Sequence, residues 1–495
     1  MHKRVFLWER IVLGVLVFLA IESVFYLGGW WFYGGHRKNI FLFALLSGAI
    51  FWFIVRNMYT WLLYLFMKIE PENKPLDQTL KVDVFTTAMP GEPYDMFDTT
   101  LRAVAAMHYP HTSYLMDGGN DHRLKKLCKN LGIVHVDTRN VNGAKAGKIN
   151  YCIRNFSKGD FIFVVDPDHI PEPDALDKIL PSFCDEKVGF VQVVQPYYNR
   201  NESFVAYAAA EETFGFYGPM QLALNGIAIP TAIGANCTFR RSALEAIGGH
   251  AEDLAEDALT SMRIHAAGYK SVYVEYRATK GLVPADLGSF FKQQLKWSNG
   301  MFNLFFHQYP RLFKNFPMQA KIHYFFAGTY YFNGLAVFFM LVLPIFFLFF
   351  QIYAVEMRLS EFIIHFIPYI VTSSAITIFI QRYYSDKSER GIPWRSMVLE
   401  RGTWHIYMSA LYCALIGRNI PYLPTPKMVR DDRAPRLVYA HIVIIALSLM
   451  AIIFPFLFYY RIDDGTILMM GFAALNVLLL LPVVKIGLFG QRRNI

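Results

Sequence analysis

The sequence predicts a membrane protein in which an α/β domain is inserted between two groups of transmembrane helices. Hydrophobic residues make up 54% of the 495-residue chain and aromatic residues 16%. The apolar residues concentrate before residue 68 and after residue 322, whereas the middle has the composition of a soluble protein. That middle part alternates short apolar segments with amphipathic ones, a pattern typical of βαβ units in a mostly parallel sheet.

Six apolar segments are long enough to cross a bilayer, which takes about 20 helical residues. They are predicted at Phe6–Leu27, Ile40–Met67, His323–Phe350, Phe362–Ile380, Leu437–Tyr460 and Ile467–Ile486. Glu22 lies inside the first of them, which indicates that this helix faces protein or lies near the membrane interface there. The lysines and arginines between residues 381 and 436 place that segment, both termini and the soluble domain on the cytosolic side.

The net charge, the cysteines and the first apolar segment argue against a nucleic-acid-binding protein, a cysteine metal site and a cleavable signal. The net charge of +9 does not indicate nucleic-acid binding, because the basic residues gather next to apolar segments. The five cysteines are scattered and lack the spacing of metal ligands, so they are predicted to be reduced thiols in a cytosolic compartment. The first apolar segment is long and no cleavage site is evident, so no cleavable signal is expected.

The soluble domain is predicted at residues 71–315, between two spans in residues 1–70 and four in residues 316–495. Its strands are predicted at Val82–Ala88, Ser113–Asp117, Ile133–Val136, Phe161–Asp166, Gly189–Gln195 and Ser271–Val274. Helices are expected between them, for instance at Met96–Met107 and Asp174–Ser182. Bulky apolar residues at helical spacing in Phe290–Phe306 predict a helix in the membrane interface.

Two carboxylates, Asp166 and Asp168, end the most strongly apolar of these strands. Ligands of α/β proteins bind at the carboxyl ends of the strands. Two carboxylates there can hold a hard divalent cation, which can take up the charge of a leaving pyrophosphate. The alternative is an acidic pair in a solvated loop, so the position at a strand end is what favours a metal site.

Four other segments carry residues suited to the same chemistry, each with a structural alternative. Asp117 precedes two glycines and can accept hydrogen bonds from a nucleotide or only form a turn. Lys145 lies at a turn of small residues, where it can meet phosphate or be a solvated surface lysine. Glu256 and Asp257 begin an amphipathic helix, where acidic residues also act as caps. Gln293–Trp297 offers a cation for pyrophosphate and an aromatic face for a sugar, or an interfacial anchor.

Taken in chain order, four of these five segments resemble the pattern D, D-x-D, T-E-D and Q-x-x-R-W of processive family 2 glycosyltransferases. This family includes bacterial cellulose synthase catalytic subunits and synthases of chitin and hyaluronan. Here the pattern reads Asp117, Asp166-Pro167-Asp168, Ala255-Glu256-Asp257 and Gln293-Gln294-Leu295-Lys296-Trp297. Shorter matches lie at Thr86–Pro93, Ala144–Asn150, Gly234–Arg241 (an acceptor-side loop) and Gly417–Lys427 (a gating loop). The departures are Lys296 for arginine, Ala255 for threonine and Met116 for the first of two paired aspartates.

The resemblance implies a cytosolic GT-A-type, Rossmann-like domain between transmembrane segments, with amphipathic interface helices and a gating loop in residues 381–436. It implies an inverting enzyme that polymerises glucose from UDP-glucose into a β-glucan and translocates the product across the inner membrane. UDP-sugar contacts are expected from Thr87, Glu92, Asp117, Lys145, Asp166, Gln293 and Lys296, and Mg²⁺ or Mn²⁺ ligands from Asp166 and Asp168. Asp257 is expected to be the general base, next to Glu256. Trp297, Gly234 and Cys237 are expected to contact the acceptor, and Thr425 and Lys427 to belong to the gating loop.

The expected partners are the UDP-sugar, the growing polysaccharide and the lipid bilayer; accessory subunits are left open. No cyclic-di-GMP-binding PilZ domain is expected after Ile486, so regulation of that kind is expected to need another subunit. The alternatives are a chitin- or hyaluronan-type synthase using UDP-GlcNAc, a non-processive lipid glycosyltransferase, and a transporter or scaffold with an inactive transferase-like domain. Intact carboxylates at all four positions argue against the inactive form.

Overall fold

The computed structural model describes residues 4–71, 75–418, 420, 433–459 and 461–491. Strands β1 to β9 are Val82–Ala88, Thr112–Asp117, Val134–Asp137, Phe161–Val164, Ile170–Pro171, Val188–Val193, Cys237–Arg240, Lys270–Val274 and Thr279–Lys280. The predicted gating-loop residues Thr425 and Lys427 lie outside the described residues.

The α-helices surround the sheet and continue into the apolar parts of the chain. They are α1 Leu7–Tyr33, α2 Ile40–Tyr64, α3 Tyr94–Ala105, α4 His122–Leu131, α5 Ala144–Asn155, α6 Ala175–Ile179, α7 Phe204–Gly215, α8 Gln221–Gly226, α9 Arg241–Ala246, α10 Glu256–Ala266, α11 Leu287–Asn303, α12 Tyr309–Leu312, α13 Met318–Gly328, α14 Asn333–Phe350, α15 Leu359–Ile380, α16 Trp394–Gly402, α17 Trp404–Leu415, α18 Tyr439–Phe458 and α19 Asp464–Phe489.

Seven strands form one mixed sheet in the order β3-β2-β1-β4-β7-β6-β8. The first four of these are parallel, β7 is antiparallel to both of its neighbours, and β6 is parallel to β8. β5 and β9 form a separate antiparallel pair. The mostly parallel sheet predicted from the sequence is therefore confirmed. The strand order reverses between β1 and β4, and a ligand crevice opens at such a point.

The central strands are apolar because both faces of the sheet are covered. Every residue of β1, β4 and β6 is buried, as expected for strands packed between layers of helices. The register pairs Ala88 of β1 with Asp117 of β2, and Phe85 of β1 with Val164 of β4. The segments that follow these three strands therefore meet at one edge of the sheet.

Six helical segments within the described part of the chain are long and apolar enough to span a membrane, which confirms the predicted number. They are Leu7–Tyr33, Ile40–Tyr64, Met318–Phe350, Leu359–Tyr383, Pro435–Phe458 and Asp464–Phe489. The first extends beyond the predicted end at Leu27. Trp31 is buried there and donates from Nε1 to Oγ of Ser47 on α2 at 2.8 Å, so the last turn is held by its neighbour.

Three predictions within the soluble domain are also wrong, for identifiable reasons. The segment Gly234–Arg241, interpreted as a loop, contains the central strand β7. The helix predicted at Asp174–Ser182 changes to a 3₁₀ turn after Ile179, because Pro181 has no N–H to donate. The interface helix predicted at Phe290–Phe306 begins earlier, at Leu287, where Asp286 caps it by accepting from the Ser289 N–H at 2.8 Å.

Several contacts attach the soluble domain to the membrane part, and two of them lie beside the site. Helix α11 packs against α17, and the hydroxyl of Tyr407 donates to Oε1 of Gln294 at 3.0 Å. After the fourth span, Asp386 and Glu389 pair with Arg277 at 2.8 and 2.5 Å. The first contact joins two helices, and the second joins the segment after β8 to the segment after the fourth span.

Candidate functional site

The two carboxylates of the D-x-D segment lie at the crevice where the strand order reverses. The Val165 N–H donates to the Phe85 carbonyl at 2.9 Å, which keeps the segment beside β1 after β4 has ended. Asp166 is partly exposed and Asp168 is buried. The hydroxyl of Thr100 donates to the Pro167 carbonyl at 2.7 Å and holds the turn between them.

His169 joins the two aspartates, although its role was not foreseen from the sequence. Its Nδ1 lies 3.1 Å from Oδ1 of Asp168. One ligand atom each from Asp166, Asp168 and His169 can be chosen so that all lie within 4.8 Å of one another. The Nε2 of His169 is buried and has no hydrogen-bond partner among the described residues. Carboxylate oxygens with an imidazole nitrogen fit Mn²⁺ or a similar divalent ion. The sequence signal for this third candidate ligand is the position of His169 directly after Asp168.

Lys145 lies in the first turn of α5 and reaches into the crevice. Its Nζ is 2.5 Å from Oδ1 of Asp166 and 2.5 Å from the carbonyl oxygen of Gly234. The side chain is only 11% exposed. The alternative of a solvated surface lysine is therefore wrong.

Asp257 and Glu256 begin α10 on the other side of the same crevice. Oδ1 of Asp257 accepts from the Ala258 N–H at 2.8 Å. Burial raises the pKa of Asp257, although the cations of Lys145 and Lys296 act in the opposite direction. Burial, followed by the negative charge of Asp257, raises the pKa of Glu256 to about 7. Raised carboxyl pKa values beside a cluster of cations are typical of a site that handles protons.

The loop before β7 passes directly over Asp257. Gly234 has a φ of +82°, and a Cβ placed there would lie 3.2 Å from Oδ2 of Asp257. The side-chain amide of Gln192 on β6 binds this loop. Its Nε2 donates to the Ala235 and Asn236 carbonyls at 3.1 and 3.2 Å, and its Oε1 accepts from the Ile233 N–H at 3.1 Å. Gln192 was not predicted from the sequence, although a buried polar side chain in an otherwise apolar strand was a signal for it.

Cys237 does not lie on the surface where an acceptor would bind. It pairs with Val164 of β4 and Gln192 of β6 in the centre of the sheet, and it is 1% exposed. Burial raises the pKa of its thiol well above the usual range. The predicted acceptor contact by Cys237 is thus corrected, because the residue forms the floor beneath the site.

At the opposite end of the crevice, Asp117 organises a turn. It accepts from the N–H groups of Gly119 and Asp121, both at 2.7 Å, and lies 3.0 Å from Nε2 of His135. Burial alone raises its pKa, but these three contacts together lower it. The structural alternative of an Asx-type turn is therefore present, and the nucleotide contact stays a prediction.

Two other residues predicted to contact UDP lie beside Asp117. Thr87 is buried near the end of β1, and Oε2 of Glu92 accepts from the Met89 N–H at 2.8 Å.

The structure adds a second lysine at this end of the crevice, which was not predicted from the sequence. Lys148 is buried one turn along α5 from Lys145 and donates to the Ala88 carbonyl at 2.8 Å. Burial lowers its pKa.

The Q-x-x-K-W segment lies in the middle of α11. Gln293 and Lys296 are partly buried, and Trp297 is 37% exposed. Lys296 is close enough to Glu256 and Asp257 for its charge to act against the rise in the pKa of both carboxyls. The buried glutamine of this helix is Gln294, whose Oε1 accepts from Tyr407.

Comparison with known proteins agrees with this geometry. Residues 161–379 match the family model described as glycosyl transferase family group 2. The chain is 29% identical to a UDP-forming cellulose synthase catalytic subunit of Xanthomonas axonopodis pv. citri over 54% of this chain and 38% of that protein. It is 27% identical to the same subunit of Pseudomonas fluorescens over 66% of this chain and 45% of that protein. The chain thus spans less than half the length of these relatives.

A solved structure shares the fold. A mannosyltransferase from Pyrobaculum calidifontis, in complex with GDP-Man and Mn²⁺, superimposes with a TM-score of 0.53 and 16% identity, over 76% of this chain and 100% of that one. The fold class predicted from the sequence, a GT-A-like mixed sheet flanked by membrane helices, is confirmed.

Proposed function

We propose that this chain is a cellulose-synthase-like glycosyltransferase that polymerises glucose from UDP-glucose into a β-glucan and passes the product across the inner membrane. The match of residues 161–379 to a glycosyltransferase family 2 model and the similarity to UDP-forming cellulose synthase catalytic subunits support the proposal. The catalytic domain and both termini are proposed to lie in the cytosol. The observation that carries the proposal is the meeting of Lys145, Asp166, Gly234 and Asp257 at one crevice, directly beside α11. A cation suited to the donor's phosphates and a carboxylate suited to act as a base thus lie together at one crevice, which supports the proposal.

Asp166 and Asp168, with His169 beside them, are the residues that would hold a divalent ion. Their donor atoms lie close enough together to share one ion. Bound there, Mg²⁺ or Mn²⁺ would offset the negative charge of the donor's pyrophosphate. The relatives named as UDP-forming favour a UDP-sugar donor.

The carboxylate of Asp257 is proposed to take the proton from the acceptor hydroxyl. As the proton leaves, the hydroxyl oxygen forms a bond to the anomeric carbon, and the bond from that carbon to the UDP oxygen breaks on the opposite face. An α-linked donor therefore gives a β-linked product. Lys145 and Lys296 are proposed to stabilise the charge that develops on UDP. Glu256, with a pKa of about 7, adds a second carboxyl beside the base.

Trp297 is proposed to hold the acceptor by stacking on a pyranose ring, with Gly234 passing close to the sugar. Beyond α11, the spans and helix α17 present polar and aromatic side chains to one another. Nε1 of Trp52 donates to Oδ1 of Asn333 at 2.8 Å, and the rings of Tyr331 and Tyr407 lie 4.9 Å apart. Such groups suit a sugar chain, which offers hydroxyls and apolar ring faces but no charge.

Turnover of radiolabelled UDP-sugars by the purified chain in proteoliposomes tests the proposal. UDP-glucose is expected to give a long product that linkage-specific β-glucanases digest, recovered inside vesicles whose catalytic domain faces outward. Preference for UDP-GlcNAc would instead indicate a chitin- or hyaluronan-type synthase. A single sugar on a lipid would indicate a non-processive transferase, and no turnover by a folded chain would contradict the enzyme.

A further inference from the structure

The first transmembrane helix carries a carboxylate on its outer face. Glu22 lies twelve residues after Arg10 and eight before Trp30, or about 18 and 12 Å along the helix at 1.5 Å per residue. Arg10 marks one end of the span, because its guanidinium donates to the Met67 carbonyl at 2.9 Å, beyond the end of α2. Trp30 has the aromatic character of the opposite interface. Glu22 is therefore near the middle of the bilayer.

The inner face of α1 is occupied by the rest of the protein, and Glu22 is not on it. Leu13, Val17, Ala20, Val24 and Leu27 are buried on the inner face. On the outer face, large apolar residues repeat every three or four positions and stay exposed, namely Ile11, Val15, Phe18 and Phe25. Glu22 is exposed in this row, between Phe18 and Phe25.

No side chain in the described part of the chain pairs with Glu22 or donates a hydrogen bond to it. Arg56, another charged residue within the spans, does have contacts inside the chain. Arg56 on α2 donates to the Phe326 carbonyl at 2.8 Å, and its guanidinium lies 4.9 Å from the ring of Tyr330. A charge facing lipid is unfavourable unless a partner offsets it. Arg56 has its partners inside this chain, whereas Glu22 points away from the chain.

We propose that the outer face of α1, defined by Ile11, Val15, Phe18, Glu22 and Phe25, is the docking surface for a transmembrane helix of another protein that carries a lysine or arginine at mid-membrane depth. Charge complementarity selects the basic side chain, because an ammonium or guanidinium can pair with the carboxylate away from water. The apolar residues above and below Glu22 give the partner helix a packing surface along several turns. A second copy of this chain is a poorer occupant, since the same face would bring Glu22 against Glu22.

The test uses the full-length chain in lipid nanodiscs with a synthetic transmembrane peptide as the probe. The peptide is a fluorescent leucine-rich helix with one central lysine, and its control carries leucine at that position. Energy transfer from a donor dye on the chain reports association. Wild type is expected to bind the lysine peptide about three- to thirtyfold more tightly than the leucine peptide, the range of one polar interhelical contact.

Glu22→Gln is expected to remove this preference, and Glu22→Lys to transfer it to a peptide with a central glutamate. Leu19→Gln is the matched control, because it adds the same amide to an exposed neighbouring position and keeps Glu22. Circular dichroism establishes that each variant is folded, so the test does not depend on the enzyme's activity. Equal binding of the two peptides by wild type, or an unchanged preference in Glu22→Gln, would overturn the proposal. Energy transfer between two copies of the chain that depends on Glu22 would also overturn it, in favour of self-association.

Discussion

The ammonium of Lys145 lies 2.5 Å from Oδ1 of Asp166. The first carboxylate of the D-x-D segment is thus held by a cation of the chain itself, at the position where a divalent ion and the donor's phosphates are proposed to bind. The two residues are 21 positions apart, and they meet because α5 begins at the same edge of the sheet at which β4 ends.

Replacing Lys145 with methionine is expected to weaken UDP binding and to strengthen the binding of Mn²⁺ alone. A hydrogen bond to a charged group contributes about 1.5–3 kcal/mol, so the affinity for UDP should fall roughly ten- to hundredfold. The affinity for Mn²⁺ should rise because a competing cation leaves Asp166. Isothermal titration calorimetry measures both. Lys158→Met, at an exposed position outside the crevice, is the control and should change neither. Unchanged UDP affinity in Lys145→Met would show that the lysine serves only the fold.

Asp166→Asn and Asp168→Asn should each abolish turnover while the protein still folds and inserts into membranes. Both side chains lie at the rim of the sheet, so their charge serves a ligand more than the core. Sugar transfer from UDP-glucose is measured with and without EDTA, and Asp160→Asn at an exposed position is the control. A variant with normal activity, or a wild type indifferent to EDTA, would exclude the metal role.

Asp257→Asn is expected to bind UDP-sugar normally and to lose about 10²- to 10⁴-fold in transfer rate, the usual contribution of a general base. The amide cannot take the acceptor proton, but it keeps the size of the side chain beside Gly234. Equilibrium binding and single-turnover rates separate the two effects. If UDP binding fell as much as the rate, Asp257 would be a structural residue.

The acid limb of the pH–rate profile should lie at higher pH than for an ordinary aspartate, whose pKa is about 3.9. Asp257 must be ionised to accept a proton, and burial raises its pKa, so activity is lost earlier as the pH falls. Lys296 lowers that pKa. Lys296→Ala should therefore move the limb to still higher pH and nearly remove activity, whereas Lys296→Arg should keep both. A limb that stays in place in Lys296→Ala would mean that another group controls the profile.

Trp297→Ala should stop chain elongation while UDP-sugar binding is kept, and Trp297→Phe should restore part of it. The indole is the largest aromatic face available for a sugar ring, and phenylalanine retains a smaller one. Product length on gels reports elongation. Trp394→Ala changes another exposed tryptophan, on α16, and should leave product length unchanged. Polymer of normal length and rate from Trp297→Ala would mean that Trp297 only anchors α11 in the interface.

The sequence by itself determined the six spans and the main strands of the sheet. A bilayer requires a long continuous apolar helix, and strands buried on both faces require short apolar runs, so both leave a signal in adjacent residues. The same holds for Asp166 and Asp168, which directly follow the apolar residues of β4. Such features are local, and reading the chain in order is sufficient to find them.

Only the tertiary structure decided which residues meet. β7 pairs with β4 and β6, strands that lie far from it along the chain, and this pairing buries Cys237 and brings Gly234 over Asp257. The prediction of a loop at Gly234–Arg241 was wrong, because a strand of four residues is stabilised by the neighbouring strands more than by its own sequence pattern. The contact of Lys145 with Asp166 and the outward direction of Glu22 likewise depend on packing between distant segments, and the sequence contains no local signal for either.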